Sequence, residues 1–374
     1  MLFKRQYDNL TPFLSPNKVL VIYGPRRSGK TTILKNFLAK TKLKYRLDSG
    51  DNIQLRQILG SQDFSQIKNY ASGYELIAID EAQNIPNIGM GLKIIVDEIP
   101  GIKVIATGSS SFDLANKIGE PLTGRKRTIF LYPLSQMELS LDLNRFDLNQ
   151  KLEEFLIFGS YPEIALLQDR NIKITALEEL VNSYLFRDIL ALDKIKKSKK
   201  LVDLVKLLAF QVGSEVSLNE LSTQLSLNVR TTERYLDLLE KSFVIISLGS
   251  FRRNLRNEIL GKRKYYFLDN GVRNGIISQF NGLENRDDAG ALWENFIFTE
   301  MIKSASYKER YANRYFWRTY DQKEIDFIEE REGKLFAYEF KWNDKAKPPK
   351  EFLETYPNTE FKTINKENYL DFIL

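Results

Sequence analysis

Eight residues, Gly24 to Thr31, form the segment of this 374-residue chain whose types and spacing best suit phosphate binding. They read Gly-Pro-Arg-Arg-Ser-Gly-Lys-Thr and fit the spacing GxxxxGK[ST]. In this pattern, glycines let backbone amides converge on phosphates at a helix start, the lysine reaches the β and γ phosphates, and the hydroxyl residue binds magnesium. The apolar run 19–23 precedes the segment and a helix-patterned stretch follows it. This context predicts a P-loop rather than a glycine-rich surface turn.

Two acids follow the apolar run 76–79 and supply the second half of the predicted site. Asp80 is expected to hold the magnesium shell, and Glu81 to polarise the water that attacks the γ phosphate. A third run, 102–106, ends in polar residues, and the carboxyl ends of parallel strands are where such sheets bind ligands. Thr107 or Ser109 is therefore a candidate γ-phosphate sensor, unless the run simply leaves the core through a polar turn. The predicted ATP contacts are Gly24, Pro25, Arg26, Arg27, Ser28, Gly29, Lys30, Thr31, Thr32, Asp80, Thr107 and Ser109, with Thr31 and Asp80 as magnesium ligands.

A second group of charged residues lies in the last hundred positions. Strand alternation in Glu339-Phe-Lys341 puts the acid and the base on one face, and Asp326 on a neighbouring predicted strand can join them. Two carboxylates and a backbone carbonyl could hold magnesium, and the lysine could activate a water. Glu294, on a predicted amphipathic helix from Gly290 to Glu300, adds an acid. The same pattern also arises on exposed strands without any chemical role.

Composition narrows the possible chemistry. The chain has no Cys and no His, which excludes disulfides, thiolate or imidazole metal sites, and imidazole acid–base catalysis. No stretch approaches the roughly 20 apolar residues that cross a bilayer, and the first residues lack a secretory core. We therefore expect a cytoplasmic protein without membrane contact, whose catalysis depends on carboxylates, lysine, hydroxyls and magnesium.

The order of apolar patterns predicts an α/β protein with several domains. Residues 1–133 alternate strands with helices, which indicates a P-loop NTPase core built on a parallel sheet. Residues 134–197 are mainly helical and are predicted to form a lid. Residues 198–270 show the element order of a winged helix, and residues 271–374 form a final α/β domain.

The winged-helix region is the basis for predicting DNA as a partner. Its basic stretch, 252–264, would form the wing, and Arg230, Thr231 and Arg234 would lie on the exposed face of the third helix. The formal net charge of +6 permits such binding without requiring it. Modules of this kind also serve as protein contact surfaces, so that alternative stays open.

With these motifs in place, the chain resembles the archaeal and bacterial family of predicted AAA-type ATPases, the AAA_14 ATPases with a DUF4143 C-terminal region. The resemblance spans nearly the whole chain. It rests on the segments GPRRSGKT (24–31), IDEAQ (79–83), TGSSS (107–111), GRKRTIFLYPLSQME (124–138), FGSYPE (158–163), YFLDNGVRN (266–274), GALWENF (290–296) and the EID and EFK pair. It implies a C-terminal domain similar to PD-(D/E)XK nucleases, with Glu294, Asp326, Glu339 and Lys341 at the metal-site positions.

The resemblance also bears on Arg125, which lies where AAA-type ATPases place an arginine finger that completes a neighbour's site. In that case hydrolysis needs a homo-oligomer; otherwise Arg125 contacts its own phosphate or the surface. Two functions remain open. One is an ATP-hydrolysing, DNA-associated machine, and the other is a regulatory ATPase whose C-terminal domain is catalytically inactive and binds a protein. A metabolic kinase is disfavoured by Glu81 and by the lack of an evident acceptor site.

Overall fold

The computed structural model describes residues 3–109, 121–182, 198–251, 262–319, 321–343 and 346–374. The chain forms two compact units. The N-terminal unit spans residues 4–133 and takes in residues 241–243, and the C-terminal unit comprises residues 134–240 and 244–374. The predicted core thus ends where the first unit ends, while the predicted boundaries at 197/198 and 270/271 both fall inside the second unit.

The N-terminal unit contains a five-stranded parallel sheet. Its strands are β1 (Lys18–Tyr23), β2 (Tyr45–Ser49), β3 (Leu76–Asp80), β4 (Lys103–Gly108) and β5 (Lys126–Phe130), in the order β2-β3-β4-β1-β5. β1 and β3 read as continuous apolar runs because helices cover both faces of a parallel sheet. The predicted α/β class and its parallel sheet are confirmed, with strand ends within three residues of those expected.

Four helices cover this sheet within the described residues. They are α1 (Lys30–Lys40), α2 (Ile53–Gly60), α3 (Phe64–Ala71) and α4 (Ile88–Glu98). The side chains of Asn52 and Asp63 accept hydrogen bonds from backbone amides at the starts of α2 and α3, which satisfies donors that a helix leaves unpaired. The inward faces of α2, α3 and α4 pack with β1, β3 and β4 in one apolar core.

Short helices open the C-terminal unit. They are α5 (Gln136–Leu139), α6 (Arg145–Gln150), α7 (Leu152–Phe158), α8 (Pro162–Leu166) and α9 (Arg170–Glu179). Ser135 and Glu138 form a capping box at the start of α5. Of the region predicted to be mainly helical, residues 183–197 lie outside the described residues. The lid function of this region stays a prediction.

The next elements follow the order predicted for a winged helix. They are α10 (Ser198–Phe210), β6 (Glu215–Val216), α11 (Leu218–Leu225), α12 (Val229–Lys241), β7 (Ile245–Ser250) and β8 (Arg263–Phe267). Ser217 and Asn228 accept amide hydrogen bonds at the starts of α11 and α12, as expected from their positions. Most of the predicted wing, 252–261, lies outside the described residues.

One seven-stranded sheet extends through the C-terminal unit. It adds β9 (Asn313–Arg318), β10 (Glu324–Arg331), β11 (Lys334–Phe340) and β12 (Thr359–Ile364), in the order β12-β11-β10-β9-β7-β8-β6. Parallel pairing of β7 with β9 joins the strands on either side of the predicted 270/271 boundary. That boundary therefore does not separate two sheets.

The remaining helices are α13 (Asn270–Ile276), α14 (Ala289–Tyr307), α15 (Lys350–Thr355) and α16 (Leu370–Ile373). The prediction that the α14 segment is amphipathic is wrong. Buried residues lie on nearly all sides of α14, because the helix packs against β8 and β11 and also against α7, α13 and α16. Its buried polar residues must therefore find partners inside the protein.

A buried polar contact accounts for two of the motifs behind the family resemblance. The carboxylate of Asp269, in YFLDNGVRN, accepts hydrogen bonds from the amides of Ser160 at 2.7 Å and Val272 at 3.1 Å. Gly159, in FGSYPE, has φ of +71°, and a Cβ there would lie 1.9 Å from Asp269 Oδ1. Only glycine allows both this backbone conformation and this approach. These motif residues stabilise the fold.

Gly159→Ala is therefore expected to lower the free energy of unfolding by several kcal/mol, because the left-handed conformation alone costs of order 1–3 kcal/mol and the steric clash adds to it. Denaturant unfolding measures the change. Gly290→Ala is the matched control, since a Cβ there meets nothing within 4 Å. Equal stability of the two variants would contradict the role assigned to Gly159.

Candidate functional site

The predicted phosphate-binding loop connects β1 to α1 at the carboxyl edge of the parallel sheet. Gly29, with φ of +100°, precedes the helix, and a Cβ on Gly24 would lie 2.1 Å from the carbonyl oxygen of Leu131. Both glycines are therefore required by geometry. The amides of the first turn of α1 have no acceptor within the helix, so they are available to an anion held by the loop.

The Lys30 ammonium lies inside this loop. Its Nζ donates to the carbonyl oxygens of Gly24 at 3.0 Å and Pro25 at 2.8 Å, and the residue is buried. Burial lowers the pKa of Lys30 to about 8, although the nearby carboxylates of Glu81 and Asp80 act in the opposite direction. A bound anionic ligand would give the ammonium a negatively charged partner in place of these two neutral carbonyl oxygens.

The other residues predicted to contact nucleotide surround this lysine. Arg26 and Arg27 are half-buried, and Thr32 is exposed at the first turn of α1. The Ser28 hydroxyl is fully buried and has no hydrogen-bond partner among the described residues. An unsatisfied hydroxyl inside a phosphate-binding loop is the kind of group that a bound phosphate oxygen can pair with.

A network of hydroxyl and carboxylate groups joins α1, β3 and β4 beside the loop. Thr31 Oγ1 donates to Asp80 Oδ2 at 2.8 Å, and Thr107 Oγ1 donates to Asp80 Oδ1. In the strand order β4 lies between β1 and β3. Thr107 on β4 therefore contacts Asp80 on the adjacent strand β3. The adjoining oxygens of Thr31 and Asp80 are the hard ligands that magnesium prefers. This part of the site fits the implied metal.

Glu81 follows Asp80 in a left-handed backbone conformation, with φ of +50°. Its amide donates to Thr107 Oγ1 at 3.1 Å, and its carboxylate accepts a hydrogen bond from the side chain of Gln83. This conformation is uncommon for residues other than glycine and is often found at functional sites. Thr107 therefore positions both acids, and the choice between Thr107 and Ser109 as γ-phosphate sensor stays a prediction.

Arg5 is a residue of this site that the sequence reasoning missed. Its guanidinium donates to the carbonyl oxygen of Ser28 in the loop at 2.6 Å and to that of Tyr132 at 2.7 Å. The side chain is buried, so these charge-assisted bonds fix the loop against β5 from outside the motif. No sequence pattern marks Arg5, because its partners are backbone atoms distant in the chain.

Arg125 lies at the amino ends of the strands of the parallel sheet, whereas the loop lies at their carboxyl ends. It directly precedes β5, whose first residue, Lys126, pairs with Val19 near the start of β1, whereas the loop follows the end of β1. The guanidinium forms an ion pair with Asp97 at 2.6 Å, with both side chains partly exposed. This position rules out contact with its own phosphate, and the role in a neighbour's site stays a prediction.

In the C-terminal unit, the structure brings together the residues predicted to act on a metal. Glu339 on β11 pairs with Lys341 at 2.8 Å, which agrees with the face predicted by strand alternation. Asp326 on β10 accepts a hydrogen bond from the amide of Phe340 at 2.7 Å. Burial, together with the charges of Glu294 and Glu339, raises the pKa of Asp326 well above its ordinary value.

Lys264 also belongs to this group, and the prediction that it contributes to a basic wing is wrong. Its side chain is 1% exposed, and its ammonium pairs with the carboxylates of Glu294 and Glu324. Asp326 lies 4.0 Å away. We call Lys264, Glu294, Glu324 and Asp326 the acidic cluster. With Lys264 in place, no three acids among the described residues converge in a way that could hold a metal ion, so the predicted set of Glu294, Asp326 and Glu339 is not assembled as a ligand sphere.

The predicted DNA-reading face of α12 is mixed in charge. Arg230 and Arg234 are exposed, and Tyr235 is buried as expected. Glu233 and Asp237 are exposed on the same helix, however, so basic and acidic residues alternate there. This balance provides no basic stripe of the kind that follows a phosphate backbone.

Comparisons with known proteins agree with this arrangement of domains. Family models match as an AAA domain, AAA_14, over residues 16–140, and as domains of unknown function over residues 149–284 (DUF8612) and 289–369 (DUF4143). The middle model spans residues that the sequence analysis divided between lid and winged helix. Within the described residues, no helix combines the length and apolar character that a membrane span requires.

Relatives come from archaea and bacteria. An uncharacterized protein of Methanocaldococcus jannaschii is 24% identical over 94% of this chain and 82% of its own length. One from Haemophilus influenzae is 27% identical, with 88% and 84% covered. Among solved structures, a Walker-type ATPase of Pyrococcus abyssi superposes with a TM-score of 0.43 at 15% identity, with 69% of this chain and 91% of that chain covered. Residues 16–140 thus match the AAA_14 domain and residues 289–369 match DUF4143, the combination that the motifs predicted.

Proposed function

We propose that the chain is a magnesium-dependent ATPase whose site is the loop at the start of α1. The observation that carries the proposal is the network in which Thr31 and Thr107 both donate to Asp80, directly beside the buried Lys30. This network supports a site in which the loop holds phosphate, Thr31 and Asp80 hold magnesium, and Glu81 acts as the base. Phosphoryl transfer depends on such positioning together with electrostatic stabilisation.

Each residue has a distinct part in the proposed reaction. The loop amides and Lys30 hold the β and γ phosphates of ATP, while Thr31 and Asp80 would hold the metal ion, which supplies charge neutralisation on the phosphate oxygens. Glu81 orients a water and accepts its proton as the water attacks the γ phosphorus. The bond from that phosphorus to the β–γ bridging oxygen breaks, and ADP and inorganic phosphate are the products. Thr107, bonded to both acids, keeps them aligned.

The test is release of inorganic phosphate from ATP by the purified full chain, with magnesium or with a chelator. We expect turnover that requires both the loop and the divalent cation. Absence of ATP binding in the presence of magnesium would contradict the proposal.

The acidity of Lys30 gives a pH signature of nucleotide binding. In the empty loop its pKa is about 8, and anionic phosphates favour the ammonium and so raise the pKa. Between pH 8 and the ordinary lysine value, binding must therefore take up a proton, and ATP affinity should fall as the pH rises. Calorimetry in buffers of different ionisation enthalpy should find about half a proton taken up at pH 8 and close to one at pH 9.5. No uptake at pH 9.5, where ATP itself does not titrate, would contradict the assignment.

Self-association is part of the proposal through Arg125. Its position away from its own loop and its partial exposure suit an arginine that completes a site on a second copy of the chain. Such a residue can raise phosphoryl transfer by about 10³ to 10⁵. Specific ATPase activity would then rise with protein concentration, and a constant specific activity would argue against it.

DNA cleavage by the C-terminal unit is a second candidate function. It is favoured by the juxtaposition of Asp326, Glu339 and Lys341 and by the buried Glu339 Oε2, which has no hydrogen-bond partner among the described residues. The alternative is a C-terminal unit without catalysis that binds a protein partner. It is favoured by Lys264, whose ammonium already neutralises the neighbouring carboxylates.

Incubation of the protein with branched and linear DNA, with magnesium or manganese, distinguishes the nuclease function from the partner-binding function. Cleavage that Lys341→Ala abolishes supports the nuclease, whereas no cleavage, or cleavage that the variant leaves unchanged, supports the partner-binding function. Salt-dependent DNA binding in the same samples tests DNA as a partner independently of cleavage.

A further inference from the structure

Lys264 lies at the centre of the acidic cluster, at the position where a bound cation would lie. It projects from β8 toward Glu294 on α14, at 3.2 Å, and contacts Glu324 at the start of β10. The ring of Phe316 on β9 lies 5.5 Å from the same ammonium. A buried ammonium needs carboxylate partners to offset its desolvation, and here it has three within 4.0 Å.

The oxygens that would bind a metal are largely occupied by protein donors. Glu294 Oε1 accepts from the Tyr266 hydroxyl at 2.7 Å as well as from Lys264. The backbone of Gly213 adjoins this carboxylate so closely that a Cβ there would lie 2.9 Å from Oε1. Asp326 Oδ2 accepts from the amide of Phe340 at 2.7 Å.

A divalent ion in the cluster would have to displace the ammonium. Magnesium sits about 2.0–2.1 Å from its oxygen ligands, so an ion on Glu294 Oε1 or Asp326 Oδ1 would lie within a few ångströms of Lys264. The repulsion between the two cations is strong at a site removed from water. Movement of Lys264 out of the cluster would in turn leave its ammonium buried without partners.

We propose that Lys264 is an internal cation that takes the place of the divalent ion implied by the family resemblance, and so closes the acidic cluster to metal. The cluster then acts as a fixed electrostatic joint between β8, α14 and β10. The C-terminal unit would serve as a binding module rather than as a metal-dependent nuclease. The inference does not depend on the ATPase proposal, because the two sites share no residue.

The test measures Mn²⁺ binding to the full chain without nucleotide. Binding is detected as a decrease of the free Mn²⁺ signal in electron paramagnetic resonance. Wild type and Asp326→Asn should bind the same amount of Mn²⁺, because Lys264 keeps the metal out of the acidic cluster in both. Any Mn²⁺ held elsewhere is common to the two proteins and cancels when their bound amounts are subtracted. Lys264→Met should gain about one equivalent, and Lys264→Met combined with Asp326→Asn should lose it. Lys262→Met is the matched control, because Lys262 is exposed and pairs only with Glu215 among the described residues; it should bind like wild type.

Two results would overturn the proposal. One is Mn²⁺ binding by wild type that Asp326→Asn removes, because the ammonium would then not exclude the metal. The other is a folded Lys264→Met variant, shown by circular dichroism, that gains no Mn²⁺. If Lys264→Met does not fold, the comparison of wild type with Asp326→Asn still decides. ATP turnover, measured in parallel, reports separately on the P-loop.

Discussion

Lys30→Ala should reduce ATP turnover to background, a loss of at least about 10²- to 10³-fold, which is typical when one group that stabilises transition-state charge is removed. In the structure the ammonium already lies within the loop, bonded to the carbonyl oxygens of Gly24 and Pro25. A bound nucleotide would draw it onto the β and γ phosphates. Alanine leaves the loop amides in place but removes the ammonium that lies inside the loop. Steady-state phosphate release measures the loss.

Two controls make this result specific. Lys35→Ala removes an exposed lysine from the same helix, so it should leave turnover unchanged. Thermal unfolding of Lys30→Ala should show an intact fold. Burial lowers the pKa of Lys30, which means that the buried position disfavours its charge, so removal of that charge should not destabilise the protein. Normal turnover in a folded Lys30→Ala variant would move the nucleotide site elsewhere.

The N-terminal unit could be predicted closely from sequence because its determinants are local. Residues 24–31 are contiguous, so spacing alone fixes the loop and the start of α1. The strands are buried on both faces and therefore read as unbroken apolar runs. Parallel strands also carry the residues at their carboxyl ends to one edge, which is why Thr107 meets Asp80, the residue to which Thr31 also donates.

The acidic cluster could not be predicted in the same way because it depends on contacts between distant segments. Lys264 ends the basic stretch 252–264, and basic stretches usually form solvated faces, so a surface position was expected for it. Its burial results from α14 packing against β8, which brings Glu294 onto the same strand pair. Glu324 was visible in the sequence only as a neighbour of Asp326. The parallel pairing of β7 with β9 likewise leaves no local signal.

α14 shows how a tertiary contact can override a sequence pattern. The segment carries Glu294, Asn295, Thr299 and Glu300 between apolar residues, which resembles a helix with one polar face. In the structure Asn295 bonds to the backbone of Phe267, and Glu300 bonds to the amide of Gln136 and to Lys303. The polar residues are paired internally, so their presence does not mark a solvated side.

Glu81→Gln should retain ATP binding but lower hydrolysis by about 10²- to 10⁴-fold, the range that a positioned general base contributes. The amide has nearly the shape of the carboxylate, and its amide nitrogen and carbonyl oxygen can still occupy the same space beside Gln83. It cannot accept a proton from the attacking water, however. Asp80, Thr31 and Lys30 are untouched, so the nucleotide and its magnesium should bind as before. Equilibrium binding of ATP and single-turnover hydrolysis, measured on the same samples, separate the two effects.

Glu75→Gln is the matched control, because Glu75 directly precedes β3 but is exposed, and its carboxylate accepts a hydrogen bond from the amide of Lys44. It should leave both binding and hydrolysis unchanged. The left-handed backbone at Glu81 makes the comparison informative, since glutamine tolerates that conformation no better and no worse than glutamate. A loss of ATP affinity in Glu81→Gln would mean that the acid supports the nucleotide-bound structure. Hydrolysis at the wild-type rate would transfer the role of base to another group, of which Asp80 is the closest along the chain.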